Sequence, residues 1–66
     1  MKNRIRVERA EKRITQQDLA ERCGVSRQTI NAIEAGKFIP STVLALKIAR
    51  VFEKAVEAIF ELEDED

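Results

Sequence analysis

Residues 16–34, QQDLAERCGVSRQTINAIE, decide the fold, because they hold two short helical patterns hinged at Gly24. The first sets Leu19, Ala20 and Cys23 at the i, i+1, i+4 spacing of one amphipathic face, and the second turns Val25, Ile30 and Ile33 inward. Gly24 can adopt the positive φ that ends a helix sharply, and Ser26 follows as an N-cap for the next helix. This is a helix-turn-helix. Ala20 suits it, since helices crossing steeply over a short turn approach closely and need a small side chain there. The outward face of the second helix carries Arg27, Gln28, Thr29 and Asn31, types that hydrogen-bond base edges in a major groove.

Upstream, Thr15-Gln16-Gln17-Asp18 reads as a capping box, with Ile14 as the apolar residue of a hydrophobic staple. Asn3 is a reasonable N-cap for a first helix reaching about Lys12, with Ile5 as its clearest core residue. Val7 and Ala10 lie on a different side from Ile5, and Glu8 interrupts the apolar spacing. Residues 1–3 carry no strong signal. Downstream, the third helix runs from Arg27 to about Ala35, where Gly36 stops it. Phe38 and Ile39 are expected to cover the core from outside, with Pro40 holding Ile39 extended. Ser41 caps a fourth helix whose apolar face holds Val43, Leu44, Ile48, Val51 and Phe52, with small Ala45 and Ala49. A short fifth helical turn through Val56, Ile59 and Phe60 is either separated from it at Glu53-Lys54-Ala55 or nearly continuous with it, and separation is the favoured reading. Glu61-Leu62-Glu63 alternates as a short strand would, and residues 64–66 should fray.

A chain of 66 residues makes one domain, assigned to residues 1–62 with an acidic tail at 63–66, and its core is small enough that an oligomer partner would help. Two Gly and one Pro suit an all-α fold with short connections. No apolar run approaches the roughly 18–20 residues of a membrane span, and no signal-peptide stretch is visible, so a cytoplasmic protein without a membrane partner is expected. The single Cys23 cannot form an internal disulfide. On the apolar face beside Leu19 it reads as a buried, reduced thiol, and nothing nearby supports the rival reading of a redox sensor. The zero net charge hides a segregation: residues 1–54 hold all 12 Lys and Arg with six acids, and residues 55–66 hold the other six acids and no base. A basic body with an acidic end is compatible with a polyanionic partner. With no His, no metal-ligand cluster, no Gly-rich phosphate loop and no base beside the Cys, neither an enzyme nor a metal, cofactor or small-molecule site is expected.

T-Q-Q-D-L-A at 15–20, G-V-S-R-Q-T-I-N-A-I-E-A-G-K at 24–37 and P-S at 40–41 resemble the Cro/cI-type, or xenobiotic-response-element type, helix-turn-helix family over roughly residues 4–60. The short stand-alone repressor-like members are the most similar. The resemblance implies a compact four- to five-helix lambda-repressor-like bundle whose third helix enters the major groove, in some members with a small sheet joining N- and C-terminal strands. It implies phosphate contacts at Gln16, Ser26 and Lys37, and a base-reading surface of Arg27, Gln28 and Asn31, with Thr29 at its margin and Ala32 near a thymine methyl. Arg prefers guanine while Gln and Asn suit adenine, so a site with both G·C and A·T pairs is expected. Arg9 and Glu34 match a pair that in the family bridges the first helix to the end of the third.

The chain departs from the pattern at three places. Arg13 stands where Gly is common, so the first helix ends in a left-handed residue or runs longer, and its charge beside Gln16 is placed to serve a phosphate. Glu8 replaces an apolar residue and either weakens the core or pairs with a base. Glu53 and Ala55 replace the usual Gly and cap before the fifth helix. The implied function is that of a sequence-specific double-stranded DNA-binding regulator, a repressor reading a palindromic operator as a homodimer. Ile59, Phe60 and Leu62 are the candidates for the interface, unless Val56, Ile59 and Phe60 merely close the monomer core. The rival is an antitoxin-like or coactivator-like protein-interaction module of the same fold.

Overall fold

The computed structural model describes residues 1–66. In chain order it contains β1 (Lys2–Asn3), α1 (Ile5–Lys12), α2 (Gln16–Cys23), α3 (Arg27–Glu34), α4 (Thr42–Phe52), α5 (Val56–Ile59) and β2 (Phe60–Glu61). The all-α bundle expected from the sequence is thus present, with a two-stranded sheet added. No helix is long and apolar enough to cross a membrane.

Helix starts follow the local code. The Thr15 hydroxyl accepts from Asp18 N at 3.0 Å while the Asp18 carboxylate accepts from Thr15 N at 3.0 Å, a complete capping box. Ser26 and Ser41 cap α3 and α4 by accepting from Thr29 N and Leu44 N. α1 differs from the expectation. Arg4 occupies its cap position with no side-chain hydrogen bond, and Asn3, one residue earlier, accepts from Ile5 N at 3.2 Å.

The ends of α1 to α4 share one geometry, in which a left-handed residue sends its own N–H and the next residue's N–H back onto the last turn. Gly24 (φ 72°) and Gly36 (φ 76°) occupy two of these ends, Arg13 (φ 59°) and Glu53 (φ 57°) the others. Arg13 therefore ends α1 in the left-handed conformation, and Glu53 separates α4 from α5. The reversal survives without glycine because the two closing bonds are still made: Arg13 N and Ile14 N reach Ala10 O and Arg9 O, and Glu53 N and Lys54 N reach Arg50 O and Ala49 O. A side chain in this backbone region costs about 1–2 kcal/mol.

The core joins Ile5, Leu19, Ala20, Cys23, Ile30, Ile33, Leu44, Ile48, Ala49, Phe52, Ile59 and Phe60. Each fully buried Ile or Leu contributes about 1.5–3 kcal/mol. Ala20 is completely buried where α2 packs on α3 and α4. Burial pushes the Cys23 thiol up, against the small opposing effect of Lys47, so it remains protonated and poorly nucleophilic at neutral pH.

Several expectations are corrected. Residues 1–3 contain β1, which pairs antiparallel with β2 in the register Lys2 to Glu61 and Asn3 to Phe60. The C-terminal strand lies one residue earlier than its alternation suggested, leaving Leu62 outside. Phe38 and Ile39 do not cover the core. Both are exposed, and Pro40 is the buried residue of that connection. Val43 also faces outward, one position from the α4 face that buries Leu44 and Ile48. Glu8 is buried and paired: its Oε2 accepts from Lys54 Nζ at 2.9 Å, and Oε1 stands 2.9 Å from the same ammonium. Of the two outcomes open to it, pairing with a base is the one observed.

Candidate nucleic-acid interface

α3 buries Ile30 and Ile33, and the 3.6-residue repeat then directs Arg27, Gln28 and Asn31 to the opposite side. All three are exposed, and no other side chain engages them. Thr29 is half-buried, its hydroxyl 3.0 Å from that of Ser26, so it stands at the margin of the face. Ala32 is half-buried at the other end. These five residues form one continuous strip along the helix. Arg27 offers paired donors that match the guanine edge, and the Gln28 and Asn31 amides offer a donor and an acceptor that match the adenine edge.

The strip is held by a carboxylate beneath it. Glu34, with its side chain only 1% exposed, accepts from Arg9 Nε at 2.6 Å and Arg9 Nη2 at 3.1 Å. Arg9 Nη1 also donates to Ile14 O at 3.2 Å. One guanidinium thus fastens the end of α3, the α1–α2 connection and its own helix in a planar fork. Gln16 Nε2 donates to the same carboxylate at 3.3 Å, while Arg6 Nε stands 3.7 Å from it. From the other side, Asn3 Nδ2 donates to Ile33 O at 2.9 Å, tying β1 to the last turn of α3.

The expected phosphate-contacting residues border this strip. Gln16 opens α2, where the first backbone N–H groups and the helix dipole favour an anion, although its side-chain amide is already given to Glu34. Ser26 caps the start of α3. Lys37 follows its end, and its backbone N–H closes the helix onto Ala32 O at 2.9 Å while the exposed ammonium is unpaired. Arg13 is exposed just before the start of α2. Asp18 brings an acid to the same end of α2, and hydrogen bonds from the backbone and then the hydroxyl of Thr15 hold its carboxyl below the ordinary range. Of the residues expected at a dimer interface, Ile59 and Phe60 are buried within the single chain and Leu62 is 76% exposed.

Two features escaped sequence reasoning. Arg6 precedes Arg9 by three residues, and that i, i+3 spacing on one helix face was the available signal. Phe38 lies beside Lys37 along a cleft of about 380 Å³ whose other lining residues, Gln28, Thr29 and Ala32, all belong to α3. Nothing in the local sequence pointed to that placement.

A family model described as helix-turn-helix matches residues 5–59. The chain is 53% identical over 66 residues to an uncharacterized HTH-type transcriptional regulator, MJ0272, of Methanocaldococcus jannaschii, covering all of both chains. It is 46% identical to the uncharacterized regulator YgzD of Bacillus subtilis, again over all of both chains. An Archaeoglobus fulgidus relative of the same description is 48% identical over the whole chain and 94% of its own length. The chain belongs to the Cro/cI-type helix-turn-helix family of DNA-binding transcriptional regulators.

Proposed function

We propose that this protein is a sequence-specific regulator, acting as a repressor, that reads a palindromic operator as a homodimer with α3 in the major groove. The single observation that carries the reading is the strip of Arg27, Gln28 and Asn31, exposed and unengaged on a helix clamped from behind by Arg9 and Glu34. Arg27, Gln28 and Asn31 read bases with Thr29 and Ala32 at the edges, while Gln16, Ser26, Lys37 and Arg13 hold phosphates on either side. Residues 1–62 form the DNA-binding unit, and the acidic residues 63–66 stay away from the phosphates.

The dimer reading draws on an apolar groove of about 330 Å³ among Met1, Ile39, Leu46, Val56, Phe60 and Leu62. Phe60 supplies its floor and Leu62 its exposed rim. A second copy packed there removes the exposed Ile39, Leu46 and Leu62 from water, apolar surface that a small monomer otherwise leaves uncovered. Ile59 acts one layer below, by shaping the floor.

Selection of duplexes from a random pool tests both parts together. The expected result is an inverted repeat of G·C- and A·T-containing half-sites one helical turn apart, about 34–36 Å. A pool without enrichment overturns base reading, and sedimentation at micromolar concentration showing only a 7.5 kDa species overturns the dimer. A stoichiometric protein partner captured in place of DNA would favour the antitoxin-like or coactivator-like reading.

A further inference from the structure

Phe38 is 49% exposed, an unusual position for an aromatic ring that serves neither the core nor the apolar groove. It borders the cleft that runs between α3 and the connection after Gly36, together with Gln28, Thr29, Ala32 and Lys37. The walls are mostly apolar. Ala32 contributes only a methyl, and the Thr29 hydroxyl is already occupied by Ser26 at 3.0 Å, leaving its γ-methyl as the remaining group. Gln28, on the rim, can bond an adenine edge. The exposed ammonium of Lys37 makes the other rim positive, and no carboxylate lines the cleft. A shallow, open apolar slot bordered by the Gln28 amide and the Lys37 ammonium is complementary to one feature of duplex DNA: the C5-methyl of thymine, the apolar group on the major-groove edge of a base pair.

We infer that Phe38, with Ala32 and Thr29, forms a thymine-methyl pocket, so that Phe38 is a specificity-determining residue lying outside the helix-turn-helix. The inference rests on the base-reading role proposed for α3 and extends it. Gln28 selects adenine by hydrogen bonding, and the slot selects thymine by excluding its methyl from water, at the same or the adjoining pair. The recognition surface then continues past the end of α3 into the connecting segment.

Deoxyuridine substitution isolates the methyl group, because uracil keeps every hydrogen-bonding group of thymine. Using the full chain and its selected site, each thymine is replaced in turn by deoxyuridine and the affinity is measured for wild type, Phe38→Ala and Phe38→Leu. The expected result is one thymine per half-site whose replacement weakens wild type about fourfold, the scale set by burying a single methyl group. Phe38→Ala loses this sensitivity and Phe38→Leu retains it. Wild-type affinity indifferent to every deoxyuridine overturns the pocket, as does Phe38→Ala with undiminished sensitivity. Equal weakening of cognate and random duplexes by Phe38→Ala, with sensitivity intact, would place the ring on the sugar-phosphate backbone and likewise overturn it. A wild-type protein with no sequence preference overturns the base-reading proposal as well, so the two failures are distinct.

Discussion

Glu8 and Arg9 are neighbours on α1, yet each ends in a buried carboxylate pair that ties down a different part of the chain. Arg9 reaches Glu34 at the end of α3, and Glu8 is reached by Lys54 from the turn between α4 and α5. The pairs differ in kind. Glu34 is held by two nitrogens of one guanidinium, with the Gln16 amide added, and Arg9 is itself only 16% exposed. Glu8 shares one ammonium between its oxygens, with Arg4 Nε more distant at 3.9 Å, and Lys54 is 44% exposed. A planar fork resists rotation and so fixes an orientation. An ammonium neutralises a charge without aiming anything. The orienting pair stands at the end of α3, and the neutralising pair stands where only burial of an acid has to be offset.

The largest effect expected from this contrast follows Arg9→Ala, which leaves Glu34 buried with only Gln16 and the distant Arg6 and should cost about 3 kcal/mol in urea unfolding. Arg9→Lys keeps the charge and loses the fork, so it should recover little of the stability and none of the DNA affinity; full recovery would break the distinction. Lys54→Ala should cost less, about 1–2 kcal/mol, because the place left by the half-exposed Lys54 opens to solvent and Arg4 Nε still stands 3.9 Å from the carboxylate. Glu8→Leu should be neutral or stabilising, since an apolar residue suits the packing there. A loss as large as that of Arg9→Ala would show that the second pair also orients its surroundings.

Thr15→Ala should cost about 1 kcal/mol by removing the cap that holds the start of α2 beside Gln16. The pH dependence of this capping box sharpens the assignment. Thr15 keeps the Asp18 carboxyl below its ordinary range, so the folded state is favoured above the ordinary carboxylate pKa and loses that contribution as pH falls through the lower folded value. Thr15→Ala keeps the backbone N–H that is the larger cause, so Asp18→Asn is the variant that reports it: its difference from wild type should shrink in acid, and a constant difference would remove Asp18 from the account. The smallest effect is at the left-handed helix ends. Glu53→Gly should add about 0.5–1 kcal/mol by relieving the backbone without changing DNA affinity. Arg13→Gly should add as much stability while weakening all duplexes, in proportion to one lost phosphate contact.

The helix-turn-helix was legible because its signals are local. Thr15 with Asp18, Gly24 and Ser26 act over three or four residues, so the spacing of side chains in the chain is nearly their spacing in space. Glu8 broke the helical pattern because its partner, Lys54, lies 46 residues away and no periodicity encodes it. β1 and β2 contain two residues each, too few for an alternation to register, and their pairing depends on the bundle having already brought them together. Phe38 was misplaced for a related reason: an aromatic residue after a helix suggests core, but the buried surface at that corner is taken by Pro40. Arg6, Arg9, Gln16 and Glu34 come from three helices, and only the resemblance linked Arg9 to Glu34.

The small sheet has a kinetic consequence. Its pairing closes a loop of nearly the whole chain, whereas α2 and α3 meet across one short turn. Formation of the sheet carries the larger closure entropy, so the helical hairpin is expected to form early and the sheet last. Opening should run in reverse. The Arg4 amide, bonded to Ile59 O at 2.9 Å, should exchange its hydrogen before those of α2, at a free energy below that of global unfolding. Each such opening also withdraws Asn3 from Ile33 O and loosens the last turn of α3, which makes the order of that helix sensitive to whatever holds the two strands together.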